Sequence, residues 1–233
     1  MKAVILAGGL GTRLRPFTEA IPKPLLPIGE KSVLEIQVQH LKQHGFMEIY
    51  IATNYKADYV ESFMGDGSRY GVQLKFSKET KPLGTCGPVT LLKNELDSPF
   101  VLMNGDILTT LNFKNLYNFA LKSDAQLTVV TKQILTPFNF GNVTAKDGYI
   151  QNVEEKPNFR LEILAGIYLF KPEIFPQIPE DEYFGMDTLI KNMLAEKKKV
   201  ARYLMEEYWV DIGRFEDYQT AQEEYEKHFN GKQ

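Results

Sequence analysis

The residues best suited to chemistry in this 233-residue chain lie near its start, in AGGLGTRLRP and the PKPLLPI that follows. Gly8, Gly9 and Gly11 have no Cβ, so backbone N–H groups there can approach an anion or a flat base closely. Arg13 and Arg15 add cationic forks that match phosphate geometry. Lys23 stands between Pro22 and Pro24, whose rings stiffen the backbone and restrict where the ammonium points. A stiff loop loses less entropy when it closes on a ligand. Phosphate binding is the chemistry this stretch suits. A surface turn with solvated charges is the competing reading of the glycines alone. The arginines and the proline-locked lysine in the same loop weigh against it.

Two carboxylates stand in similar settings. PFVLMNGDILTT is an apolar strand ending in Asn104-Gly105-Asp106, where a carboxylate is placed to hold a hard cation over the sheet edge. A plain turn aspartate is the alternative. YWVDIGRFEDY places Asp211 after Trp209-Val210 and before Gly213. Asp106 and Asp211 together suit one Mg²⁺, which takes one or two carboxylates plus substrate phosphates. A helix cap is the other role open to Asp211. VEEKPN sets Lys156 before Pro157, and KPLGTCGPVTLL offers Gly84, Gly87 and the Thr85 hydroxyl in a loop leading into a helix.

Several chemistries are excluded. No lysine follows Gly11 as the P-loop motif requires, and the dinucleotide fingerprint needs glycine where Leu14 stands. That argues against a dinucleotide-dependent oxidoreductase. His40, His44 and His228 have neither metal-ligand nor triad spacing and read as surface or packing residues. Cys86 is the only cysteine, so no intramolecular disulfide forms, and it has no partner histidine pattern.

These residues need a frame. Apolar runs at Ala3–Leu6, Ile49–Ala52, Phe100–Met103, Leu127–Val130 and Ile163–Phe170 read as buried strands. Helical patterns lie between them at Val33–Gln43, Ala57–Met64, Pro88–Leu96 and Phe113–Lys122, and later at Phe184–Glu196 and Arg214–Phe229. VARYLME reads as a strand. Alternation of strand and helix predicts an α/β fold: a Rossmann-like, mixed, mostly parallel sheet flanked by helices. Asp147-Gly148 within GNVTAKDGYIQNVEEKP is a hairpin turn signal, so the middle third forms a small antiparallel excursion. The ligand site is expected at the carboxyl ends of the strands.

Composition sets the outer bounds. Hydrophobic residues make up 43% of the chain, enough for a substantial core in one domain spanning 1–233. A formal net charge of −3, with both signs mixed along the chain, gives no bulk nucleic-acid footprint. No run reaches the length of a membrane span and no signal peptide opens the chain, so the expectation is a soluble, cytoplasmic protein that engages neither nucleic acid nor membrane.

Taken in order, AGGLGTRLRP, PKPLLPI, LGTCGP, NGD, EKP, AGIY and WVDIG resemble the sugar nucleotidyltransferases, the nucleoside-diphosphate-sugar pyrophosphorylases. The resemblance spans nearly the whole chain. It implies transfer of a nucleotidyl group from a nucleoside triphosphate to a sugar 1-phosphate, with Mg²⁺ as cofactor and pyrophosphate as leaving group. Gly8, Gly9 and Gly11 would embrace the nucleotide, with Thr12, Gly84, Thr85 and Gly105 in the same set. Arg13, Lys23 and Asp106 would be catalytic, and Asp106 and Asp211 would bind the metal. Gly141, Glu155 and Gly166 would contact the sugar, and Lys156 its phosphate. The motifs look most like mannose- or heptose-1-phosphate guanylyltransferases. GTP is therefore the favoured nucleotide, with UTP, dTTP or CTP as alternatives. The hexapeptide-repeat β-helix of many relatives is not expected, while a homo-oligomer is possible. A non-catalytic regulatory relative would have lost Arg13, Lys23, Asp106 or Asp211, and all four are present.

Overall fold

Lys2–Leu6 is a five-residue strand whose three central residues are fully buried, so it needs a sheet covered on both faces. The computed structural model, which describes residues 1–229, supplies one. In chain order the strands are β1 (Lys2–Leu6), β2 (Pro27–Ile28), β3 (Lys31–Ser32), β4 (Glu48–Thr53), β5 (Gln73–Lys78), β6 (Phe100–Asn104) and β7 (Ile107–Thr109). They continue with β8 (Leu127–Pro137), β9 (Asn142–Lys146), β10 (Tyr149–Glu154), β11 (Asn158–Phe170), β12 (Val200–Met205) and β13 (Trp209–Asp211). The α-helices are α1 (Phe17–Ala20), α2 (Val33–Gln43), α3 (Ala57–Met64), α4 (Phe113–Lys122), α5 (Met186–Ala195) and α6 (Phe215–His228).

Seven strands form the main sheet in the order β12-β8-β11-β6-β1-β4-β5. Only β11 runs against its neighbours. Successive residues of β1 enter opposite layers, as the pleat requires: Ala3 and Ile5 join one core cluster and Val4 the other. A third cluster gathers Leu14, Leu26 and Ile28 from the first long loop, Leu108 from β7, and Ile212, Ala221 and Tyr225 from the C-terminal segment. It fastens the phosphate-type loop to the body of the protein. Among the described residues no helix is long and apolar enough to cross a membrane.

Most expected elements form within a residue or two of their expected ends, but β8 runs on past Val130 to Pro137 and β11 begins before Ile163 at Asn158, the two largely exposed extensions pairing with each other. The exceptions have local causes. Pro88–Leu96 is not an α-helix; Gly87–Leu92 is 3-10 instead. The N–H groups of Cys86 and Gly87 both donate to the Phe184 carbonyl, which fixes the entry to this segment. Phe184 also donates to Leu83, so its backbone is committed and α5 starts only at Met186. Strand β5 was not foreseen, because QLKFSK is an edge strand with polar residues interleaved. The three-residue strands β7 and β13 are too short for any periodicity to register. The hairpin at Asp147-Gly148 forms as expected, both residues having positive φ (53° and 84°), the signature of a type I′ turn. It is a separate two-stranded sheet between the long outer halves of β8 and β11 in sequence.

On α2, Ser32 and Glu35 form a reciprocal cap, with the Glu35 N–H donating to Ser32 Oγ at 3.2 Å and the Ser32 N–H donating to Glu35 Oε2 at 2.9 Å. The same helix packs His40 against Phe113, with its ring nitrogen 2.9 Å from the Leu111 carbonyl. Burial, with His44 nearby, lowers the His40 pKa from 6.5 to about 4. The unfolded chain therefore takes up the proton first as pH falls. His40 contributes stability that is complete above about pH 6.5 and lost on acidification toward its folded value, by at most about 1.4 kcal/mol per pH unit. Urea unfolding should show a lower midpoint at pH 5 than at pH 7, and His40→Asn should remove part of that difference. An equal pH dependence in the two proteins contradicts the assignment.

Candidate active site

Strands β4 and β6 flank β1 on opposite sides, so chain order reverses at β1 and a crevice opens beyond its carboxyl end. A cleft of about 510 Å³ lies there. Gly8, Gly9, Gly11, Thr12, Arg13, Lys23, Gly84, Thr85, Gly105 and Asp106 all line it. The walls are tied to the strand ends. Ala7 N–H donates to the Ala52 carbonyl at 2.7 Å, and Gly105 N–H to the Leu6 carbonyl at 2.9 Å. A Cβ at Gly105 would sit 2.6 Å from that same carbonyl oxygen, which explains glycine between Asn104 and Asp106.

The loop after β1 is pinned rather than free. Gly11 has φ of +61°, and a Cβ there would lie 2.7 Å from Thr18 Cγ2 and 3.2 Å from Lys23 Cβ. Thr18 Oγ1 donates to the Gly11 carbonyl at 2.8 Å, and Leu14 is buried in the third core cluster. Gly9, by contrast, faces open space. A short 3-10 turn, Lys23–Leu25, preceded by Pro22 and containing Pro24, delivers Lys23 into the cleft.

Four charged groups meet at one end. The Lys23 ammonium donates to Asp106 Oδ2, and both side chains are largely shielded from solvent. Strand β13 pairs antiparallel with β7, setting Asp211 opposite Ile107, and Ile212 N–H donates to the Asp106 carbonyl at 2.9 Å. Burial raises the Asp211 pKa above the ordinary aspartate value, the Asp106 charge raises it further, and Lys23 and Arg13 oppose the shift. Arg13 and Asp211 both approach Gly213, where a Cβ would lie 3.2 Å from Arg13 Nη2 and 3.2 Å from Asp211 Oδ1. One oxygen of each carboxylate, Asp106 Oδ1 and Asp211 Oδ1, is buried with no hydrogen-bond partner. Two orphaned anionic oxygens are a donor set that fits a hard divalent cation. No cluster of three or more His, Cys, Asp or Glu exists among the described residues, so such an ion would complete its shell from water and substrate oxygens. Asp211 does not cap α6; the N-cap is Arg214, whose N–H donates to Asp217 Oδ2 at 3.0 Å.

The other end of the cleft is built from two loops back to back. Gly84, with φ of +83°, passes so close to Phe184 that a Cβ would meet its carbonyl oxygen at 2.6 Å. Thr85 Oγ1 accepts from Met186 N–H at 2.9 Å, so the hydroxyl starts α5 as well as facing the cleft. Glu79, Asn54 and Tyr183 also line this end, and sequence reasoning missed all three. Glu79 Oε2 accepts from Leu83 N–H at 2.9 Å, and Oε1 lies across from Gly8. Burial raises the Glu79 pKa, against hydrogen bonds from Leu83 and Asn54. Its signal was hidden because it follows the unrecognised strand β5. Cys86 is buried behind this wall, and burial alone pushes its thiol up to about 12, leaving it inert.

The residues expected at the sugar fall into two places, and none lines the cleft itself. Gly166, with φ of +68°, lies where the β8–β11 register shifts, and a Cβ there would be 2.8 Å from Asn104 Nδ2. It thus borders the Asn104-Gly105-Asp106 turn. Gly141, Glu155 and Lys156 lie at the open end of the β9–β10 hairpin, where Asn142 pairs with Glu154. A Cβ on Gly141 would stand 3.2 Å from Glu155 Oε2, and Lys156 has φ of +48°.

The nucleotidyl transferase family model matches residues 2–228, and the chain belongs to that family. A mannose-1-phosphate guanyltransferase of Yarrowia lipolytica is 35% identical over 94% of this chain. A UTP–glucose-1-phosphate uridylyltransferase of Synechocystis is 34% identical over 95%. The chain spans 62% of the length of each of these two relatives. Among solved structures, HddC from Yersinia pseudotuberculosis complexed with GMP-PN superposes with a TM-score of 0.74 at 27% identity, covering 96% of this chain and 99% of that one.

The contact between Gly105 and the end of β1 gives a direct test. Gly105→Ala should destabilise the fold by about 1–3 kcal/mol through overpacking against the Leu6 carbonyl, read as a lower urea midpoint. Unchanged stability contradicts the close approach.

Proposed function

We propose that this chain transfers a guanylyl group from GTP to a sugar 1-phosphate of manno or heptose type, giving a GDP-sugar and pyrophosphate. The reading rests above all on Lys23, Arg13, Asp106 and Asp211 converging at the carboxyl end of β1. The names of the Yarrowia relative and of the GMP-PN complex agree with guanine. The name of the Synechocystis relative keeps UTP as the second reading.

A phosphate oxygen of the sugar 1-phosphate attacks the α-phosphorus of the triphosphate, the new P–O bond forms, and the bond to pyrophosphate breaks. A phosphate monoester has a second pKa near ~6, so the nucleophile is already ionised and needs no general base. The barrier is repulsion between anions and their alignment. Lys23 and Arg13 lower it as fixed cations that need no reorganisation as charge shifts toward the leaving group. Gly9, whose Cβ position is open, leaves room for the nucleotide, and Gly8, Gly11, Thr12, Gly84, Thr85 and Gly105 are proposed to line it along the cleft wall. Asp106 and Asp211 would hold Mg²⁺, which when bound neutralises phosphate charge. Glu155, Gly141 and Gly166 are proposed to contact the sugar, and Lys156 its phosphate.

Base choice falls to Glu79. Guanine presents two adjacent donors, N1–H and the N2 amino group, and a carboxylate accepts both. A uracil or thymine edge presents one N–H between two carbonyl acceptors, which a carboxylate repels.

Pyrophosphate release, measured for five nucleoside triphosphates against a panel of sugar 1-phosphates with Mg²⁺, tests the reading. GTP with a manno-configured sugar should be the best pair. UTP or dTTP faster by tenfold or more removes the guanylyl assignment, and no reacting pair removes the activity. Lys23→Ala and Arg13→Ala should each lower kcat/KM by at least ~100-fold, the cost of losing a preorganised charge donor. Near-normal kinetics in folded Lys23→Ala would refute its role. Glu79→Gln should lower kcat/KM for GTP by about 10–100-fold, the worth of hydrogen bonds to a charged group, and bring ITP, which lacks the 2-amino group, level with GTP. A preserved GTP preference in that variant contradicts the base assignment.

A further inference from the structure

We propose that Tyr183 covers the base end of the cleft by laying its ring over the face of the nucleobase, an inference that rests on the nucleotide-binding reading above. The loop that carries Tyr183 is held on both sides of it. Lys81 Nζ donates to Asp181 Oδ2 at 2.9 Å. The Glu182 carbonyl packs so close to Gly87 that a Cβ there would lie 2.9 Å from its oxygen. Phe184 N–H donates to the Leu83 carbonyl at 2.9 Å, and the Phe184 carbonyl accepts from Cys86 and Gly87. Asp181, Glu182 and Phe184 are therefore anchored to the loop that runs from Lys81 to Gly87.

The Tyr183 side chain is the exception. It lines the cleft with Pro82, Gly84 and Pro88, yet the residue is 74% exposed. Among the described residues it makes no hydrogen bond, ion pair or ring contact. An aromatic ring left in water at the rim of a cleft adds nothing to the core, and covering it with a flat apolar partner is favourable. Its backbone is already fixed and only two χ angles remain free, so ordering the ring on a ligand costs little entropy.

Position selects the base as that partner. Lys23, Arg13, Asp106 and Asp211 occupy the opposite end of the cleft, where phosphates belong, while Glu79, Asn54 and Gly84 share this end with Tyr183. Tyr183 and Glu79 do different jobs there. A carboxylate reads the hydrogen-bonding edge of a base and so discriminates between bases. An aromatic face holds any base, because every base has a π-face, and a larger ring system is held better. Stacking makes no use of the phenolic hydroxyl, so phenylalanine should serve as well as tyrosine.

Calorimetric titration of the full chain with GTP, UTP and ribose 5′-triphosphate, each with Mg²⁺ and without sugar phosphate, tests this. Ribose 5′-triphosphate has no base and is the control. Tyr183→Ala should weaken GTP binding at least ~5-fold, the usual loss when one base–aromatic stack is removed. It should weaken UTP less and leave ribose 5′-triphosphate unchanged. Tyr183→Phe should bind GTP as the wild type does, and Tyr183→Leu, apolar but without a π-face, should lose most of what Tyr183→Ala loses. The urea midpoint of Tyr183→Ala should equal that of the wild type, since the ring is outside the core. Equal GTP binding by the wild type and Tyr183→Ala, a loss that Tyr183→Phe shares, or an equal loss for ribose 5′-triphosphate each overturns the proposal and leaves nucleotide binding standing. A wild type that binds no nucleoside triphosphate removes both.

Discussion

Three residues of β13 laid antiparallel against three of β7 carry Asp211 from near the end of the chain back to Asp106. The Asp106 charge opposes that of Asp211, and burial makes the Asp211 carboxylate costlier still. The arrangement stands because cations are built in. The Lys23 ammonium contacts Asp106, and the Arg13 charge acts favourably on Asp211. The neighbouring contacts hold the short ladder in register. Thr110 N–H and Thr109 Oγ1 both donate to the Tyr208 carbonyl, at 3.1 and 2.7 Å, and Trp209 Nε1 donates to the Ala165 carbonyl at 2.8 Å. The last bond reaches the residue before Gly166, so the carboxylate pair and the bend in β11 are set by one network.

The rest of the molecule serves this constraint. The parallel strands bring two loops to one edge, and the third core cluster fixes the first of them through Leu14, Leu26 and Ile28. Glycines occur where backbone meets backbone: Gly105 against Leu6 at the charged end, Gly84 against Phe184 at the other. A cleft with cations and carboxylates at one end and a shielded glutamate at the other is polarised along its length. A nucleotide has the same polarity, triphosphate at one end and hydrogen-bonding base at the other.

Much of this was legible in the sequence because it rests on local rules. Uninterrupted apolar runs marked the strands, Asp147-Gly148 marked the hairpin, and glycines, arginines and a proline-locked lysine after a strand marked a phosphate-type loop. What was not legible depends on contacts between distant segments. No local pattern in Trp209–Asp211 names β7 as its partner. Phe184 looks helical by composition, and only its bonds to Leu83, Cys86 and Gly87 hold it out of α5. Glu79 carries no motif; it matters because an edge strand ends there and its carboxylate turns toward Gly8. The hairpin turn was readable, but the register shift between Ile150 and Asn152 was not.

The account's central claim is that Asp106 and Asp211 act as one cation site, and titration with Mn²⁺ in the presence of bound nucleotide, followed by electron paramagnetic resonance, tests it most directly. Because the two orphaned oxygens would share one ion, either single substitution, Asp106→Asn or Asp211→Asn, should abolish the same protein-dependent Mn²⁺ signal, and the double variant should lose no more. Wild-type Mn²⁺ binding in Asp211→Asn, or losses in the two single variants that add as if from separate sites, would contradict it.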